Sequence, residues 1–299
     1  MQHYKKYRFL SILLILPSAL SILVFVYGFI GFTGLASFIN WKKLKIDFTF
    51  VGFDNYARLF QNERFIIDLQ NTFTFTILFL IATIAIGFLM AVAIDRNIKG
   101  EAIFRNIYLF PMALSFIVTG VVWRWLLAPG NADTGALGVN LILENVGLGF
   151  LKNGWYTDPS IGIKAVVIAA VWQYAGYVMA LYLAGIRGIP VELLEAARLD
   201  GSSEIDIYRY IVLPMLRPVT LSAVIILGHI SLKIFDLVVS MTGPGTGFST
   251  DVPALFMYDT TFRGNRFSEG SAIAVVLLLL VAFLVIPYLV NSSRSEVER

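Results

Sequence analysis

The chain has 299 residues, 58% hydrophobic and 14% charged, with a formal charge of +3 and a mean hydropathy of +0.77. Soluble domains carry about 45–50% apolar and about 25% charged residues, so this composition excludes an ordinary water-soluble fold. The lack of cysteine excludes disulfides, thiol catalysis and Cys-ligated metal centres, two histidines exclude a histidine-rich metal site, and so small and dispersed a charge excludes nucleic acid as a partner.

A helix rises about 1.5 Å per residue, so crossing about 30 Å of hydrocarbon takes roughly 20 mostly apolar residues. Six segments meet that test, and the expected fold is an all-α integral membrane protein with six transmembrane helices. Residues 1–8 carry Lys5, Lys6 and Arg8 and lead into a first span at 9–32, which is uncharged throughout. A secretion signal has a core of about 7–15 residues, so this longer block reads as an uncleaved anchor. The second span is expected at 73–94. The third, at 105–128, has a clean core, Ile107–Val122, that continues through Trp123, Arg124 and Trp125. The fourth, at 165–186, carries the polar and aromatic run Trp172, Gln173, Tyr174 and, one turn on, Tyr177. The fifth, at 218–241, is the exception because it holds His229, Lys233 and Asp236. The sixth lies at 270–290, ahead of a short tail at 291–299.

Basic loops stay cytoplasmic. Residues 1–8, 95–106, 187–217 and 291–299 together hold 12 lysines and arginines, while the longer set 33–72, 129–164 and 242–269 holds nine. The density on the terminal side is about twice that on the other, which predicts cytoplasmic termini and a cytoplasmic loop at 187–217.

In that loop Pro190 sits where a first helical turn tolerates it, because the missing N–H would be unpaired there anyway. Strong formers then predict a short helix over Val191–Leu199, including Glu195, Ala196 and Ala197. After Asp200, Gly201 supplies the positive φ on which helices often end. Ser202 or Ser203 is expected to cap a second short helix through Tyr210, with Pro214 as its stop.

Glu195-Ala196-Ala197, then Asp200-Gly201, then Ile211-x-Leu213-Pro214, resembles the EAA loop of binding-protein-dependent ABC importer permeases. Glycine follows the glutamate by six residues, and Leu-Pro by eighteen and nineteen, as in that pattern. Phe50-Val51-Gly52-Phe53-Asp54-Asn55-Tyr56, Trp123-Arg124-Trp125, and Phe235-Asp236-Leu237 followed by Thr242-Gly243-Pro244-Gly245 are similar to segments of the carbohydrate-uptake branch, the maltose and glucose types. The resemblance implies a cytoplasmic coupling helix between spans four and five that fits a groove on a separate ATPase. Glu195 would meet a basic residue there, Ala196 and Ala197 would allow close approach, and Gly201 would make the turn. It also implies a second homologous permease subunit, two ATP-binding subunits and an extracytoplasmic sugar-binding protein. No Gly-Lys dipeptide occurs, so the phosphate loop Gly-x-x-x-x-Gly-Lys-Ser/Thr is absent. ATP and magnesium are expected on partner chains and no cofactor on this one, which is a transport subunit and not an enzyme.

A charge inside a span is costly, so Lys233 and Asp236 need a reason. Three residues apart, they are expected on one helical face and able to pair, with His229 one turn earlier on the side of Lys233. Sugars bind through hydroxyl hydrogen bonds and through ring faces stacked on aromatics, chemistry that Trp172, Gln173, Tyr174 and Tyr177 offer. The resemblance places sugar contacts on these two spans, for a cargo such as glucose, maltose or trehalose. Glycerol phosphate or another polyol is the alternative cargo, with Lys233 and Arg124 as its basic groups. A secondary transporter would need inverted repeats or a relay of intramembrane carboxylates, and only Asp236 is available.

Overall fold

The computed structural model describes residues 13–96 and 99–297, with side chains as far as Pro287. Its helices are α1 (Leu13–Ala36), α2 (Asp54–Phe60), α3 (Glu63–Asp95), α4 (Glu101–Leu109), α5 (Phe116–Leu126), α6 (Gly138–Asn145), α7 (Gly162–Arg187), α8 (Val191–Leu199), α9 (Glu204–Met215), α10 (Arg217–Leu232), α11 (Asp236–Met241), α12 (Pro253–Tyr258) and α13 (Phe267–Val297). Strands β1 (Gly130–Asn131) and β2 (Gly135–Ala136) pair antiparallel between α5 and α6.

Among the described residues α1, α3, α7 and α13 are each long and apolar enough to cross a membrane. Two further crossings follow if bent pairs count, namely Glu101–Ala113 with α5, at 100°, and α9 with α10, at 62°. The expected third span is therefore not straight. Leu114 and Ser115 are extended, and the Ser115 hydroxyl accepts the Val118 N–H at 3.3 Å to start α5. A serine cap satisfies one of the orphan amides that such a restart creates.

The fifth block also departs from expectation, because α10 stops at Leu232 and the chain unwinds over 233–235. Lys233 and Asp236 thus do not share a helical face, and no ion pair joins them among the described residues. Instead Lys233 caps the C-terminus of α10 and Asp236 opens the N-terminus of α11. Each charge has the sign that its helix end favours, which explains why the break falls between them. Pro214, expected to end α9, does not. The turn before it, Tyr208–Val212, is π-helical, with the Leu213 N–H bonded to the Tyr208 carbonyl. That wide turn makes room for the ring, and the helix runs on to Met215.

The chain divides into two units, Met1–Asn62 with Phe256–Leu278, and Glu63–Leu255 with Leu279–Arg299. In the first, α1 is exposed along nearly its whole length. Its end is tied down by Asn55, whose amide donates to the carbonyls of Ser37 and Ile39 at 2.8 and 3.0 Å. The Trp41 N–H donates to the Ser268 hydroxyl at 2.7 Å, and the Trp41 ring stacks on Phe267.

In the second unit α7 is the core. Val166, Ala169, Ala170, Val178 and Met179 on it are fully buried, as are Phe75, Phe79 and Ala91 on α3. Small residues let these backbones approach closely, as membrane helix pairs require. Gly176 shows how closely, since a Cβ there would collide with the carbonyl oxygen of Tyr108 in α4.

Candidate functional site

The loop between α7 and α10 is built by its caps. Pro190 precedes α8, whose limits are those its composition predicts. Gly201 has φ +83°, the Ser202 N–H bonds the Ala197 carbonyl at 3.0 Å, and the Gly201 N–H bonds that of Arg198 at 3.1 Å. This is a complete Schellman ending. Ser203 then caps α9, its hydroxyl accepting the Asp206 N–H at 3.2 Å. Across the turn the Arg198 guanidinium donates to both carboxylate oxygens of Glu204, at 2.7 and 3.3 Å. That contact raises the Arg198 pKa above its usual value.

Two helices are thereby locked into one rigid knob. Glu195, Ala196 and Asp200 are exposed on it, and Ala197 is part-buried. Apolar side chains also face outward, with Leu199 90% and Ile205 79% exposed. Leu213 is exposed and Pro214 part-buried farther along α9.

The knob is rooted in the membrane helices. Ile207, Val212 and Leu216 are buried. Tyr208 meets Phe88 of α3 edge-on, Phe88 meets Tyr182 of α7 in the same way, and the Tyr182 hydroxyl lies 2.8 Å from Thr220 Oγ1 of α10. At the end of α7, Arg187 donates to Glu101 at 2.9 Å and to Asp95 at 3.4 Å. Packed rings and one hydroxyl contact thus join the knob to α3, α7 and α10.

The polar membrane residues do not form one closed pocket. Trp172 is exposed and meets Trp123 edge-on at 6.0 Å, which brings two of the aromatic segments together. Tyr174 packs against Phe79 and Phe116. Tyr177 is part-buried. Gln173 is 3% exposed, its amide donates to the Leu114 carbonyl at 2.8 Å, and its Oε1 has no partner among the described residues. On α10 and beyond, His229 is part-buried, while Lys233 and Asp236 are exposed. No hydrogen bond or ring contact joins the α7 group to His229, Lys233 or Asp236 among the described residues.

One arrangement escaped the sequence reading. Arg64 at the start of α3 forms an ion pair at 2.5 Å with Asp251, which is fully buried. The Asn71 amide donates to the Phe248 and Asp251 carbonyls at 2.8 and 3.0 Å. Thr250 Oγ1 donates to the Gly243 carbonyl at 2.9 Å. These bonds pin the glycine-rich turn at 243–247 to α3. The partners are nearly two hundred positions apart, and no local pattern announces such a pair.

Comparisons with known proteins agree with this architecture. The chain is 40% identical over 285 residues to a probable ABC transporter permease protein of Pyrococcus horikoshii, spanning 95% of this chain and 96% of that one. It is 34% identical over 268 residues to the xylose/arabinose import permease protein XacH of Haloferax volcanii, spanning 88% and 82%. Among solved structures, a chain of a bacterial alginate ABC transporter in complex with an alginate pentasaccharide-bound periplasmic protein superposes with a TM-score of 0.77 at 25% identity, over 95% of each chain. Residues 83–295 match the family described as binding-protein-dependent transport system inner membrane component. The chain therefore belongs to that family, the multi-pass membrane permeases of ABC transporters.

Proposed function

We propose that this chain is one of two permease subunits in an ATP-driven importer of carbohydrate, with a mono- or disaccharide such as glucose, maltose or trehalose as cargo. The carrying observation is the knob of α8 and α9, exposed at Glu195 and Ala196 and rooted in α3, α7 and α10. Six crossings, two of them bent, put both termini and residues 187–217 in the cytoplasm, which the bias of lysine and arginine supports. The knob docks in a groove on a separate ATP-binding subunit, with Glu195 on a basic residue and Ala196 and Ala197 at the closest approach. Asp200, Gly201, Leu213 and Pro214 hold its shape. ATP and magnesium reside on two such subunits. Their closure turns the paired permeases from inward-facing to outward-facing as a rigid-body rearrangement. An extracytoplasmic binding protein delivers the cargo.

Trp172, Gln173, Tyr174, Tyr177, His229, Lys233 and Asp236 border the path. Trp172, Lys233 and Asp236 are exposed on the single chain, as residues facing a cavity between two permeases would be. The xylose/arabinose permease and the alginate transporter support a saccharide cargo. Exposure of both Arg124 and Lys233 favours one second reading, a phosphorylated polyol.

The test is reconstitution in liposomes with the partner permease, the ATPase and the binding protein. ATP hydrolysis should rise with one saccharide from a panel. Stimulation by glycerol phosphate alone would establish the second reading, and failure to copurify with any ATPase would defeat both.

A further inference from the structure

Beyond the end of α1 the chain turns back beside the start of α13. Asn55 on α2 closes the carbonyls that follow α1, and the Trp41–Ser268 bonds tie the same turn to the start of α13. Phe48, Phe50, Phe53 and Phe60 on this stretch are all at least half exposed. Exposed rings at the end of a span mark the zone where hydrocarbon gives way to lipid headgroups. Lys42, Lys43 and Lys45 lie on the same turn and are also exposed.

A cavity of about 160 Å³ opens here, within the first unit. Its buried side is apolar, from Leu59 and Ile273, and Arg58, Arg266 and Glu269 supply its charged groups. Thr260 lines it too. That residue is 2% exposed, and its hydroxyl has no hydrogen-bond partner among the described residues. Arg58 donates to Asn55 at 2.6 Å, and Arg266 pairs with Glu269 at 2.9 Å. A guanidinium carries five N–H donors, so most of the donors on both arginines stay available. A small cavity with donors in excess, net positive charge and an unpaired buried hydroxyl suits a group that is anionic and rich in acceptor oxygens.

We propose that this cavity holds the phosphate headgroup of an anionic phospholipid, with the exposed phenylalanines set among its acyl chains. The occupant follows from position and charge together. The site lies where α1 ends and α13 begins, Arg58 and Arg266 line it, and Lys42, Lys43 and Lys45 stand exposed on the same turn, an excess of positive charge that attracts an anionic headgroup.

The test uses the assembled transporter, stripped of lipid and offered equal phosphatidylglycerol and phosphatidylcholine of the same chain length, with retained lipid read by native mass spectrometry. Wild type should keep phosphatidylglycerol in clear preference. Arg58→Gln with Arg266→Gln should lower that retention at least about fivefold, the scale of one lost basic contact. Thr260→Val, which keeps the shape and both arginines, should lower it by a smaller factor. This milder variant reads the site even if the double variant fails to assemble. Equal retention in wild type and Thr260→Val, or in wild type and the double variant, would overturn the proposal. So would complete displacement by millimolar inorganic phosphate without any preference between the lipids, which would assign the cavity to a soluble anion.

Discussion

Gln173 of α7 donates its side-chain amide to the carbonyl oxygen of Leu114 at 2.8 Å, at the point where the chain breaks between α4 and α5. The break frees backbone carbonyls that the bilayer cannot solvate, and a side chain of the central helix satisfies one of them. The bend between α4 and α5 is thus held from α7. Gln173→Leu should remove that bond and lower the stability of the complex by about 1 kcal/mol. Thermal unfolding in detergent measures the loss, and transport KM decides the role. An unchanged KM with a lower Tm makes Gln173 a structural residue, whereas a raised KM with an unchanged Tm makes it a sugar contact.

Glu195→Lys should abolish coupled transport and leave membrane insertion intact. The residue is exposed on a polar loop, so insertion energetics barely change, while a positive charge would meet the basic groove proposed on the ATPase. Sugar-stimulated ATP hydrolysis in liposomes checks this. Normal stimulation in the variant would remove Glu195 from the coupling contact.

Gly201→Val should be as severe by another route. A Cβ at Gly201 meets nothing within 4 Å, so only its φ of +83° requires glycine. A β-branched residue there costs about 1–2 kcal/mol or more and unlocks the Schellman turn. Asparagine tolerates that region better, so Gly201→Asn should retain much of the transport that Gly201→Val loses. Equal loss in both variants would mean that the side chain itself, and not the backbone conformation, is what the site rejects.

Cysteines placed singly at Tyr177, His229 and Lys233 need no background removal, because the chain has none. If these positions face a central path, a membrane-impermeant thiol reagent should label them faster when ATP and the binding protein hold the path open to the outside. Silence at all three, with labelling elsewhere on α7 and α10, would show a packed face and leave the path to other residues.

Local chemistry made some of this legible in the sequence. The limits of α8, the turn at Gly201 and a serine cap at Ser202 or Ser203 depend on neighbours within a few positions, and each was readable there; the structure selects Ser203. Hydropathy, in contrast, reports how apolar a segment is and not whether it is straight. The break at Leu114–Ser115 therefore lay hidden inside an apolar block. Lys233 and Asp236 signalled something at the end of the fifth block. Their spacing suggested one helical face, whereas the helix dipoles on either side of the break set their places. The Arg64–Asp251 pair and the Gln173–Leu114 bond depend on tertiary proximity alone, which no single stretch of sequence records.

The outward-facing Leu199 and Ile205 bear on how the protein is made. On the proposed topology they stand in water until an ATPase subunit covers them, so a permease synthesised in excess of its partner displays a greasy tag that a complete assembly hides. Quality-control proteases and chaperones select for such surface, and the abundance of this chain should follow the supply of its ATPase. On that reading the same knob that is proposed to carry force would also report whether the assembly is complete.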